Sequence, residues 1–341
     1  MNALEESKGR IVWIDFFKGF GALLVVFGHS NLPENLAWWI WSFHMPMFFF
    51  ISGYLFNGDK TIDLNRVLKR RVETLLIPYL FFSILFIIIL PVLNNTSKIP
   101  HEIGSYREVI KIVHDGWKGL ALWFIPVLFF TEIIFAVLIK YLGTRHILVF
   151  LIISLLCLLG YYFSIGRIHF PYKAEVIPTA IVFYALGFYG KHHVRSFLKY
   201  AMQSDRQFIT LLALLSVNIL FCYLNSGRLD MCFNRMNNII FTYLSAVSGI
   251  FFSIILSYYL TFYLKDTNYI KVIVTYLGRN TMIILGIHQL IKICLSSLSL
   301  LFNQTIFLLL MKHIIFWLLL HGIILAINKH FYFVLGKKRS V

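Results

Sequence analysis

Apolar residues fall in blocks of spanning length, near residues 11–30, 36–56, 75–93, 120–140, 146–164, 174–190, 207–225, 239–264, 281–301 and 305–328. A helix crosses a bilayer with roughly 20 such residues. The pattern predicts ten transmembrane helices in an all-α, polytopic membrane protein, and an even number puts both termini on one side. Of the 31 Lys and Arg, twenty lie on the tails and connectors of that side, eight on the other, and Lys18, Lys292 and Lys312 inside spans. The positive-inside bias places both termini in the cytoplasm. In GDKTIDLNRVLKRRVETL, after the second block, Ile62, Val67, Leu68, Val72 and Leu75 recur at roughly helical spacing. That segment is expected to lie on the membrane surface.

The composition agrees. The 341 residues are 59% hydrophobic and 13% charged, with a mean hydropathy of +0.77, against about 25% charged in an average soluble chain. The expectation is one integral membrane domain over 1–341, with short cytoplasmic tails at 1–10 and 329–341. Block 11–30 is too long for a signal-peptide core and lacks a cleavage site, so it is expected to be retained. A net charge of +16 is scattered over short connectors instead of forming a stripe, which argues against nucleic acid. The four cysteines make no C-x-x-C pair. His313 and His321 are eight apart and have no cysteine or carboxylate cluster beside them, so neither a metal site nor a disulfide framework is expected.

The first block carries an Asp, a Lys and a His. At about 100° per residue, Asp15, Lys18 and His29 share one helix face. Ionisable groups are costly against lipid, so this face should look into a cavity. The alternative is an Asp15–Lys18 ion pair that only locks helices together. His29 can act as a general base near neutral pH.

D-x-x-K followed ten residues later by His, then FHMPMFFFISGYLF (43–56), RVLKRRVETLLIPYL (66–80), ALWFIPVLFF (121–130) and LGRNTMIILGIHQLI (277–291), resembles the acyltransferase 3 family of integral membrane acyltransferases over about 11–291. Lys18 stands where that family more often has Arg, keeping the charge without the planar fork. The resemblance implies a membrane-bound O-acyltransferase of a bacterial plasma membrane. It would move an acyl group, with acetyl-CoA as the expected donor, from the cytoplasm to a sugar hydroxyl of a cell-surface polysaccharide or its lipid-linked precursor. His29, Lys18, Asp15 and His44 would carry the chemistry. A sugar transporter or flippase is the alternative, although no inverted repeat is visible in the sequence.

Other residues have two readings each. Pro46 should kink the second helix, and His44 either works beside His29 or bonds the carbonyls that the kink frees. Ser52 and Gly53 line the acyl-CoA path or let helices pack closely. Lys69, Arg70 and Arg71 hold CoA phosphates or anchor to anionic lipid. Glu132 and His288 line the substrate cavity; otherwise Glu132 pairs with Lys292 or Lys18, and His288 makes a packing hydrogen bond.

Overall fold

The computed structural model describes residues 11–30, 32–96, 106–117, 120–201, 206–225, 229–299 and 306–337. The tail at 1–10 and residues 338–341 of the second tail lie outside them. Among the described residues there is no β-strand. The α-helices are α1 (Val12–Gly28), α2 (Glu34–Trp41), α3 (His44–Leu55), α4 (Leu64–Arg71), α5 (Ile77–Thr96), α6 (Tyr106–His114), α7 (Phe124–Leu142) and α8 (His146–Ile165), then α9 (Ile177–Tyr189), α10 (Lys191–Ala201), α11 (Arg206–Leu224), α12 (Ile239–Tyr263), α13 (Tyr269–Arg279), α14 (Thr281–Ser299) and α15 (Ile306–His330). Asp63, Asn238 and Asn268 start α4, α12 and α13, their side chains accepting backbone N–H groups of the first turn.

A helix overlies each of the ten apolar blocks. Among the described residues six helices are long and apolar enough to cross a bilayer alone, or seven if α13 and α14 form one broken span. Helices α1, α3 and α9, with 17, 12 and 13 residues, need flanking residues to complete a crossing. The second block is divided because the helix stops at Trp41 and restarts at His44. The sixth loses its start to a 3₁₀ turn, Pro171–Val176, in which Tyr172 and Lys173 have φ of 55° and 62°.

The surface segment expected at 58–75 takes a different form. Helix α4 runs through a π-helical turn, Val72–Leu76, into α5, making one helix from Leu64 to Val92. Pro78 lacks the N–H that would meet the Thr74 carbonyl, and the wider turn accommodates that loss. Twenty-nine residues at 1.5 Å each give about 43 Å, beyond the roughly 30 Å hydrocarbon core. The basic end therefore extends past the span.

The described chain forms two compact units. The first holds residues 1–62, 130–169 and 175–281, the second 63–129, 170–174 and 282–341. In the first, glycines set the crossings. A Cβ on Gly19 would run into the Val274 carbonyl, and one on Gly278 into the Asp15 carbonyl, so α1 and α13 touch backbone to backbone. Helices α3 and α9 meet likewise, Gly53 on the Tyr184 carbonyl and Gly187 on the Phe50 carbonyl. In lipid, where the hydrophobic effect between helices is lost, close contact of this kind drives association. The amine of Lys271 closes the end of α12, donating to the Thr261 and Leu264 carbonyls at 2.7 and 3.0 Å.

In the second unit, Gly286 of α14 lies against the Phe82 ring of α5. Trp117, buried and with φ of 56°, donates its indole N–H to Ser83 Oγ at 3.0 Å. A 3₁₀ turn, Tyr332–Leu335, follows α15 and ends at Gly336 (φ 64°), which sits against the Glu73 carbonyl.

Candidate active site

Asp15 lies in the first turn of α1, directly at the Gly278 crossing, and that approach brings the end of α13 to it. Arg279 Nε donates to Asp15 Oδ2 at 3.0 Å, with the side chains 44% and 13% exposed. The sequence suggested Lys18 as a partner for Asp15; the structure adds Arg279, which was missed as a site residue although it stands within LGRNTMIILGIHQLI. Lys18 sits one turn further along α1, half-buried. Because the pair is partly solvated, it contributes up to about 1 kcal/mol. Asp15→Asn is therefore expected to lower Tm by about 4 °C or less in a thermal unfolding scan, while a larger loss would mean that this ion pair locks the crossing.

At the opposite end of α1, His29 is the C-cap and half-buried. The chain turns back through α2, and Trp41, buried at its end, donates its indole N–H to the Gly28 carbonyl at 3.1 Å. That bond ties the ends of α1 and α2 together. The Trp41 ring lies 5.4 Å from the His29 ring at 71°, and 5.4 Å from the His44 ring at 64°. Two imidazoles from different helices thus flank one indole.

The kink expected from Pro46 takes the form of a full break at Ser42 and Phe43. Pro46 lacks the N–H that would reach the Ser42 carbonyl one turn back, and its ring crowds that carbonyl. At the break the Ile40 carbonyl accepts the Phe43 N–H at 3.4 Å in place of a bond from the His44 N–H, and His44 Nδ1 lies 3.0 Å from it. A carbonyl only accepts, so Nδ1 carries the hydrogen and Nε2 keeps its lone pair. One contact thus holds the bend and prepares an imidazole as a proton acceptor. Trp41 was missed because a third Trp in WWIW reads as interfacial aromatic load.

Within the same unit, Gly53 is a packing residue against the Tyr184 carbonyl, and Ser52 beside it is half-buried. Glu132 is 1% exposed, and Tyr184 donates its hydroxyl to Glu132 Oε1 at 3.4 Å. The rings of Phe56 and Phe135 pack on Tyr184 at 5.9 and 5.0 Å, so this carboxylate stands in an aromatic setting.

In the second unit, Lys69 and Arg70 are exposed and Arg71 half-buried, all in the last turn of α4. His288 is fully buried, its Nδ1 2.8 Å from the Ile284 carbonyl, which fixes the same tautomer as in His44. Gln289 accepts the backbone N–H of Ala121. Lys292, one turn on from His288, lies 5.7 Å from the centre of the Phe316 ring.

Long apolar helices in several passes, with ionisable side chains drawn off the lipid, define a polytopic helical membrane protein. The family model described as an acyltransferase domain, that of the acyltransferase 3 family, matches residues 11–328, and the chain belongs to that family. It is therefore a membrane acyltransferase. No curated protein and no solved structure matched the chain.

Proposed function

We propose that this acyltransferase is an O-acyltransferase. It takes an acyl group, acetyl in the simplest case, from cytoplasmic acyl-CoA and places it on a sugar hydroxyl of a surface polysaccharide or of its lipid-linked precursor. The setting is a bacterial plasma membrane, with ten crossings in one functional domain and both termini in the cytoplasm. The observation that carries this reading is the pair of imidazoles flanking Trp41.

In the proposed reaction the imidazole of His29 takes the proton of the sugar hydroxyl as its oxygen attacks the thioester carbonyl. A C–O bond forms, the C–S bond breaks, and the imidazolium returns its proton to the departing thiolate. The Nε2 lone pair of His44 accepts a hydrogen bond from the sugar. Lys18 lies eleven residues before His29, about 16 Å along α1, a gap for the pantetheine arm to bridge. Lys18, Asp15 and Arg279 form the entrance on the CoA side, Ser52 lies along the donor's path, and Glu132 lines the acceptor cavity. In the second unit, the cluster of Lys69, Arg70 and Arg71 suits phosphates.

Trp41→Phe keeps the ring and removes the bond to Gly28. Turnover is expected to fall about ten- to a hundredfold, as for a displaced catalytic group, with KM for acyl-CoA unchanged; a change in KM alone would place Trp41 in donor binding instead. The reading itself is tested with purified protein in liposomes. Release of free CoA thiol should rise on adding glycan, and the label should move from acyl-CoA to sugar. Interrupted helices such as α2/α3 and α13/α14 also occur in transporters, so sugar flux without acyl-CoA, and no transfer, would replace this reading by transport.

A further inference from the structure

A second site lies in the first unit, on the lipid-facing side of α8. A cavity of about 900 Å³ is walled by α3, α8, α9, α10 and α12, with Phe50, Val182, Ile250 and Phe251 among its apolar lining. Helix α8 is a membrane span only 11% buried, and Phe150 and Leu158 at the cavity are 69% and 60% exposed. Its surroundings are therefore lipid.

The cavity is polarised. It follows α8 from His146 to Leu158, twelve residues or about 18 Å, close to the depth of one leaflet in a roughly 30 Å core. Its imidazoles gather at one end, where His146 opens α8 and His193 lies on α10. The His146 ring packs on Tyr189 at 6.5 Å. Helix α10 is a short basic amphipathic helix: Val194, Leu198 and Ala201 are buried, whereas His192, His193 and Arg195 are exposed, as is Arg145 just before α8. Such a helix suits the headgroup level of a membrane. Lys191 is turned the other way, donating to the Phe56 carbonyl at 3.1 Å, and burial pushes its amine below the usual ammonium range.

We propose that this cavity binds one anionic phospholipid of the adjoining leaflet, its acyl chains along α8 and its phosphate at His146 and His193. The apolar wall matches one leaflet's chains in length, and the basic end matches the phosphate in sign. The cavity lies apart from the imidazoles at Trp41, so the proposal stands whatever group the enzyme transfers.

Native mass spectrometry of the full chain in detergent tests it, with phosphatidylglycerol and phosphatidylcholine of identical chains as probes. The parent protein should retain phosphatidylglycerol about tenfold better, the value of one charge-assisted hydrogen bond. The double variant His146→Ala/His193→Ala, at two exposed positions, should lose that preference. Ser154→Trp, which fills the cavity from α8, should weaken both lipids, and glycerol 3-phosphate should not compete. Equal binding of the two lipids by the parent, or a preference that survives the double variant, would overturn the proposal. So would competition by glycerol 3-phosphate, which would mark a plain phosphate site. Should Ser154→Trp fail to fold, the histidine variant still decides.

Discussion

With alanine at position 29, acyl-CoA turnover is expected to fall by about 10²- to 10⁴-fold, the contribution of a positioned acid–base group. The fold should survive. His29 closes α1 through its backbone, its N–H donating to the Val25 carbonyl at 3.2 Å, and alanine keeps that bond. His44→Ala offers the contrast, because it also strips the Ile40 carbonyl of its imidazole partner in a buried setting. The Phe43 N–H still reaches that carbonyl at 3.4 Å, so the loss is that of one hydrogen bond, about 0.5–1.5 kcal/mol. Turnover measured as CoA thiol release, beside Tm, separates the two: His29→Ala loses rate alone, His44→Ala loses both. Normal turnover in His29→Ala would remove His29 from the chemistry.

The largest effect on stability is expected from Gly278→Ala. The added methyl would meet backbone atoms of Asp15 and Gly19, which no rotamer change moves aside, so α1 and α13 must part. The cost lies at the upper end of the 1–3 kcal/mol typical of overpacking, or above it. Parting the helices would also draw Arg279 from Asp15. Gly322→Ala in α15 is the matched control, since nothing stands within 4 Å of a Cβ there. Intrinsic tryptophan fluorescence during heating should show a lowered Tm for the first variant and none for the second. Equal stability of the two would mean that the backbones do not touch at this crossing.

Hydrophobic blocks made the helices legible because burying backbone polar groups in lipid leaves little besides a helix. What happens inside a block was harder to see. Residues 36–56 look continuous in hydropathy; Pro46 pointed to a kink, and the structure has a full break one turn before it, at Ser42 and Phe43. The cooperation of His44 with His29 was anticipated as a choice between catalysis and mending the backbone. The structure shows the second, in the contact of Nδ1 with the Ile40 carbonyl. Arg279 escaped notice because its partner is 264 residues away, joined by a glycine contact that no local pattern encodes. Gly53 was the reverse case, as small-residue logic already named close packing as one of its two readings. The lipid-facing cavity has no motif at all, being a shape made by five helices.

The uninterrupted rod from Leu64 to Val92 carries one more implication. A rod that outreaches its membrane must either lean or stand proud, and each choice costs a fraction of a kcal/mol per ångström of mismatch. Thickening the bilayer would draw Lys69, Arg70 and Arg71 toward the phosphates of the lipids, and thinning it would lift them into water. Acyl-chain length in the host membrane thereby becomes a dial on how far this basic tip stands clear of the lipid phosphates.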